Sequence, residues 1–287
     1  MGLEVPIIEP TLPTDKLTLS SHPITGRMDF FKTHMTDMNY LDETIKYYAE
    51  WLGVSPELVD QAGTFYLSFS PHRDTVQEGY NKPFDLYAYL SAETTIVTYG
   101  QALLQSVDWI QSSFKNTKDI AKLRRIFYDH FGKLLQHDYK YYFSKLPSDI
   151  DCSKANQLTL KDYPAYLQFF KTQYPDSEAE TWLADYYKEI VEKGYAFGFY
   201  VGGNLVSVSD APDMPYMKDR AVEIGMNTLL AYRNKGYARI VLGAMLNFII
   251  NIPKVPIASC TSTNIASQNL IKSTGFIKLA DVVSLSL

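Results

Sequence analysis

Cysteine is nearly absent: Cys152 and Cys260 are the only two in the chain, which excludes a disulfide framework as the basis of the fold. Long apolar runs are missing too. The longest, from Ile240 to Ile252, is interrupted by Asn247 and falls short of the roughly 20 residues that cross a bilayer. There is no basic excess: 27 Lys and Arg against 32 Asp and Glu give a formal charge of −5 and a pI near 5.6. That balance argues against a general nucleic-acid or anionic-membrane binder, which would carry a dense basic face, and is compatible with a cationic substrate. The five histidines, His22, His34, His72, His130 and His137, all lie in the first half without metal-ligand spacing, so no metal site is expected. His130 and His137 are predicted to share the polar face of one helix. The start carries no secretory signal, and Pro6 spoils the myristoylation pattern that Met1-Gly2 opens. A cytoplasmic protein is the expectation.

What is present is the composition of a folded globular chain, 46% hydrophobic and 21% charged. The 22 tyrosines suit an amphipathic aromatic core better than a dedicated cleft. At 287 residues two domains are expected, 1–150 and 151–287, joined by the polar stretch 147–154. In the first, Leu41, Ile45, Tyr48 and Leu52 mark a helix over residues 40–52. Leu103, Val107, Ile110 and Phe114 mark a second, and Leu123, Phe127, Phe131 and Leu134 a third. Residues 64–70, 84–90 and 94–98 alternate like strands, and 140–144 is a weaker strand candidate. This half reads as α/β of unassigned role.

The second half begins with a short strand holding Leu158 and Leu160, followed by helices over 163–173 and 178–193, the first opened by Asp162-Tyr163-Pro164. Residues 195–201, the turn Gly202-Gly203-Asn204 and residues 205–209 form a strong hairpin signal. A strand over 221–231 then feeds Arg233-Asn234-Lys235-Gly236-Tyr237-Ala238, which opens a helix running to residue 250. Gly236 allows close backbone approach, and the amides of a helix's first turn lack internal partners. Such a turn can hold the diphosphate of a nucleotide cofactor. Neither a Walker loop nor G-x-G-x-x-G is present. A buried strand over 255–261 follows, then Asn264-Ile265-Ala266-Ser267-Gln268-Asn269-Leu270-Ile271-Lys272-Ser273-Thr274-Gly275-Phe276, with Asn264 as N-cap and Gly275 as stop. Residues 276–287 read as two short strands around Asp281.

The spacing Arg-x-x-Gly-x-Ala resembles the acyl-CoA-binding signature Q/R-x-x-G-x-G/A of the GCN5-related N-acetyltransferase (GNAT) family. The segment 264–276 is similar to that family's second signature, N-x-x-A-x-x-L-Y-x-x-x-G-F, with Ser267 for Ala. The resemblance implies a C-terminal α/β (α+β) domain with a mixed, mostly antiparallel sheet flanked by helices; the first half could be a degenerate copy of it. It also implies transfer of an acetyl group from acetyl-CoA to a primary amine of a small molecule by direct attack, with no metal. The amides of Asn234, Lys235, Gly236, Tyr237, Ala238 and Arg239, together with Arg233, would take the pyrophosphate. Leu229 and Leu230 would pair with the pantetheine arm, and Asn264 and Ser267 would lie along the far side of the cofactor. Glu223 is the candidate general base, with an outward-facing surface strand residue as its alternative reading. Ile271 stands where the family usually has a tyrosine that protonates the departing thiolate. Tyr237, Cys260 and Thr261 are candidate substitutes, and a catalytically silent acyl-CoA sensor stays open as the second reading. Tyr174, Trp182 and Tyr186 could line the acceptor cleft or fill a core. The layout is similar to that of two-part acetyltransferases whose first half helps form the acceptor site, and a homodimer is compatible with it.

Overall fold

The fold is that of a computed structural model describing residues 38–77, 80–214, 217 and 219–287; the expectations for Met1, Gly2, Pro6, His22 and His34 lie outside them. Helix α1 (Tyr40–Leu52) starts where the Asn39 side chain accepts the amides of Leu41 and Asp42 and stops at Gly53, whose φ is 71°. Such an N-cap is worth about 1 kcal/mol. After the short α2 (Pro56–Asp60) come strands β1 (Phe65–Phe69), β2 (Leu86–Leu90) and β3 (Thr95–Tyr99), then helices α3 (Val107–Asn116) and α4 (Ile120–Phe131). Gly132, at φ 66°, ends α4, so His137 does not continue that helix as the spacing predicts. It lies instead on β4 (Gln136–Phe143), a strand four residues longer at its start than the apolar pattern alone indicates.

The second half contributes β5 (Asn156–Gln157), α5 (Tyr163–Gln173), α6 (Leu183–Glu192), β6 (Ala196–Val201), β7 (Asn204–Asp210), β8 (Ala221–Glu223), β9 (Gly225–Thr228), α7 (Tyr237–Ile249), β10 (Val255–Thr261), α8 (Ile265–Ser273) and β11 (Phe276–Leu285). The β6–β7 turn has positive φ at Gly202 and Gly203, as a primed hairpin turn requires. Leu160 opens a 3-10 turn instead of extending a strand, because Thr159 and Asp162 cap each other across it. Residues 178–193 divide into a 3-10 turn at Ala179–Thr181 and α6. The final segment is a single strand, not two: a bulge between Lys278 and Ala280 absorbs the irregularity without breaking the pairing to β4.

Two sheets organise these strands. One has seven in the order β1-β3-β2-β11-β4-β10-β8, mostly antiparallel, with parallel pairs at β1–β3 and β10–β8. The other is antiparallel, in the order β5-β6-β7-β9. The larger sheet runs across residue 150: β4 from the first half lies between β10 and β11 of the second. Helix α1 covers one face, where Tyr48, Trp51, Tyr89, Ile257 and Val282 are buried together. α7 packs between the two sheets and buries Val241, Met245, Leu246 and Ile249; each such side chain gains roughly 1.5–3 kcal/mol on leaving water.

The expected single strand over 221–231 is broken, and the break shapes the site. β8 pairs with β10, and the Ile224 amide still donates to the Ile257 carbonyl at 2.9 Å. From Gly225 onward the chain leaves β10 and pairs with β7. Among the described residues, β10 beyond Ile257 keeps only β4 as a neighbour, so one free edge of β9 and one of β10 diverge from a common root at Glu223 and Ile224.

Candidate acyl-CoA and acceptor site

On β9 the antiparallel ladder decides which backbone groups are spent. The Leu229 amide donates to the Val206 carbonyl at 3.0 Å, and the Asn227 and Gly225 carbonyls accept the hydroxyls of Ser207 and Ser209. The intervening residues Met226 and Thr228 therefore turn their amides and carbonyls to the free edge. Leu230 leaves the strand for a 3-10 turn and is 78% exposed. An extended ligand chain would thus meet the backbone of Met226 and Thr228, two positions that the sequence pattern did not single out. The Arg233 Nε, 3.0 Å from the Thr228 carbonyl, donates to that edge.

The loop after the turn alternates handedness: Asn234 at φ 61° and Gly236 at φ 81°. Asn234 is the only described residue other than glycine with a positive φ. The Arg239 and Ile240 amides close onto the Gly236 carbonyl at 3.1 and 3.2 Å. Among the described residues, the amides of Asn234, Lys235, Gly236, Tyr237 and Ala238 have no hydrogen-bond acceptor. These five donors sit at the positive end of α7, an anion-binding arrangement. A Cβ built on Gly236 would meet nothing within 4 Å, so the space above the loop is open to a ligand. The donor set fits a pyrophosphate.

The charged side chains divide. The Arg239 guanidinium is committed to Asp149, 2.9 Å away, and to the Ser273 carbonyl at 3.2 Å, so it ties α7 to the junction and to the end of α8. Lys235 lies over the Tyr232 ring, 5.1 Å from its centroid, and the Tyr237 ring stacks on Phe199 at 4.4 Å. Asn264 caps α8 by accepting the Ser267 amide at 3.1 Å; this links the two residues expected along the far side of the cofactor.

Glu223 closes β8 at the root of the split, half-buried, and accepts a hydrogen bond from the Ser259 hydroxyl. In register, Glu223 stands beside Ile257, Ser259 beside Lys140, and Thr261 beside Asp138, which places Glu223, Ser259, Lys140 and Asp138 on one face. Tyr80 and Tyr87 lie within electrostatic reach of both Glu223 and Lys140. Burial pulls the Lys140 ammonium down, but Tyr87, Asp138 and Glu223 outweigh it and hold the pKa above the ordinary lysine value. Sequence reasoning missed Ser259, Lys140 and Asp138. The signal was the alternation along β4, which shows only once its pairing with β10 is known.

Ile271 is 1% exposed and packs in the core beneath β10. Of the substitutes considered, the Cys260 thiol is pushed up by burial and points at the Tyr141 hydroxyl at 3.9 Å, and Thr261 meets Thr263 at 3.5 Å. Tyr186 and Tyr166 donate to the half-buried Asp210 carboxylate, which desolvation pushes above its ordinary range, while Tyr174 donates to Asn227 at 3.2 Å. Tyr166, Tyr186 and Trp182 pack into or against the core, and the Tyr174 ring lies 4.9 Å from that of Phe170. No group of three or more His, Cys, Asp and Glu side chains suited to a metal ion occurs among the described residues, and no described helix is long and apolar enough to cross a membrane.

Residues 150–277 match the family model described as an acetyltransferase (GNAT) domain. The C-terminal half of the chain therefore carries a domain of the GNAT family. No curated protein matches the chain. Among solved structures, it is similar to a GNAT-family acetyltransferase from Colwellia psychrerythraea, at 22% identity over 53% of this chain and 56% of that one, with a TM-score of 0.45. A GNAT-family acetyltransferase from Novosphingobium aromaticivorans gives 18% identity over 52% of this chain and 63% of that one, with a TM-score of 0.41. An aminoglycoside N-acetyltransferase in complex with CoA gives 20% identity over 44% of this chain and 88% of that one, with a TM-score of 0.37. The chain spans 56% and 63% of the first two relatives' lengths.

Proposed function

We propose that the protein is an N-acetyltransferase that moves an acetyl group from acetyl-CoA to a primary amine of a small acceptor. The observation that carries this reading is the run of five amides without acceptors, Asn234 to Ala238, beside two diverging strand edges. The cradle would hold the pyrophosphate, and the free edge of β9 at Met226 and Thr228 would orient the arm. Acetyl-CoA supplies the thioester. Glu223 stands at the root of the split, where it can take the ammonium proton and leave the amine lone pair to attack. The amine nitrogen bonds to the acyl carbon, the carbon–sulfur bond breaks, and the sulfur leaves as CoA thiolate. Deprotonation is the demanding step, because an alkylammonium has a pKa of about 10. The alternative, an acyl-CoA sensor without catalysis, draws on the buried aliphatic Ile271 in place of a tyrosine. Calorimetric titration with acetyl-CoA, followed by thiol release in the presence of primary amines, separates the two. Binding with turnover is expected; binding without turnover for any amine would establish the sensor, and no binding would remove both.

A further inference from the structure

Lys140 and Glu223 come from opposite halves of the chain to the same face of the seven-stranded sheet, with one strand, β10, between them. Ser259 bridges the pair: its hydroxyl donates to Glu223 and its Cα stands opposite Lys140. Asp138, two residues along β4, shares the face, and its carboxylate accepts from Gln136 Nε2 at 3.2 Å. Both carboxylates thus have donors of their own. Lys140 is half-buried, yet among the described residues its ammonium makes no hydrogen bond and no ion pair within 4.0 Å. The ammonium is still reached by water, which an anion could displace, and the Asp138 and Glu223 carboxylates favour its charged form. An anion arriving with the acceptor would satisfy it.

The spacing limits what that ligand can be. Glu223 and Lys140 stand two strands apart and two residues apart along β10, roughly 12 Å between backbones, and their side chains rise from the same face of the sheet. A molecule of a few atoms can therefore present an ammonium to one and an anion to the other. The charge count limits it further: two carboxylates against one ammonium would repel a dianionic phosphate and favour a single negative charge accompanied by a positive one. We infer that the acceptor is an amino-carboxylate, of the free amino acid class, whose amine faces Glu223 and whose carboxylate is bound by Lys140.

This inference rests on the transferase reading, and its test keeps the two apart. Thiol release from acetyl-CoA is measured with free amino acids and, as matched probes, their carboxamides, which keep the amine and lose the charge. The free acids are expected to have kcat/KM at least about tenfold higher, as for a lost charged contact. Lys140→Met is expected to erase the preference through KM, Lys140→Arg to retain most of it, and acetyl-CoA titration to be unchanged in both variants. Equal use of the amides, or a preference that survives in Lys140→Met, overturns the inference and leaves the transferase standing. Binding of acetyl-CoA without turnover on any amine overturns the transferase reading, and the inference with it.

Discussion

Gly236 shows how one residue can serve the ligand and not the fold. Its φ of 81° is costly for any residue with a Cβ, about 1–2 kcal/mol, yet a Cβ there would touch no protein atom. Gly236→Val is therefore expected to lower Tm by only a few degrees while weakening acetyl-CoA at least tenfold by calorimetry, since the added side chain projects into the cradle. Gly275 is the opposite case: a Cβ would fall 1.8 Å from the Lys145 carbonyl oxygen, so its role is packing. At Glu223 the expected result is a division of effects. Glu223→Gln keeps the shape and the Ser259 contact but cannot take a proton, so kcat should fall about a hundredfold or more with acetyl-CoA affinity unchanged. A Gln variant with wild-type kcat would assign the base elsewhere.

Among the elements, the pairing of β4 with β11 offers a pH-dependent test. Burial pushes the Asp281 carboxyl up, but His137 Nε2 and Lys278 Nζ, each 2.7 Å away, hold it below the ordinary carboxylate value. A carboxyl depressed in the folded state contributes stability above its unfolded pKa and loses it as pH falls through the folded value. Asp281→Asn should therefore melt below wild type at neutral pH, and the gap should close as pH drops under about 4. A gap constant down to pH 2 would show that the pairing contributes nothing through charge. Much at this scale was legible in the sequence. Helix α5 and strand β10 lie where periodicity puts them, and Asn264 caps α8 as its side-chain chemistry requires. The passage of residues 221–228 from one sheet to the other was not legible, because local pattern cannot say which neighbour a strand will pair with. Its consequence was that the free edge fell at Met226 and Thr228 and not at Leu229 and Leu230. The place of Lys140 on the face it shares with Glu223 was hidden for the same reason: it depends on a pairing across more than a hundred residues.

At the scale of the whole molecule, a sheet with strands from both halves is expected to make them unfold together. β4 has neighbours from the second half on both sides, and its Phe143 ring packs edge-on against Tyr40 and Phe276, each at 5.2 Å. Phe143→Ala should cost about 3–5 kcal/mol. Circular dichroism and tyrosine and tryptophan fluorescence should then lose structure in one coincident transition at a lower Tm, in the variant as in the wild type. Two separated transitions would mean that the halves unfold independently.

The placement of β4 also sets an order of events at the ribosome. When β4 emerges, neither strand that will flank it has been made, and both of its hydrogen-bonding edges stay unmet until β10 and β11 have been synthesised. Exposed strand edges pair readily with other chains, and contacts this distant in sequence close slowly. A nascent chain stalled between residues 143 and 255 would thus be expected to need chaperone protection that the finished protein does not.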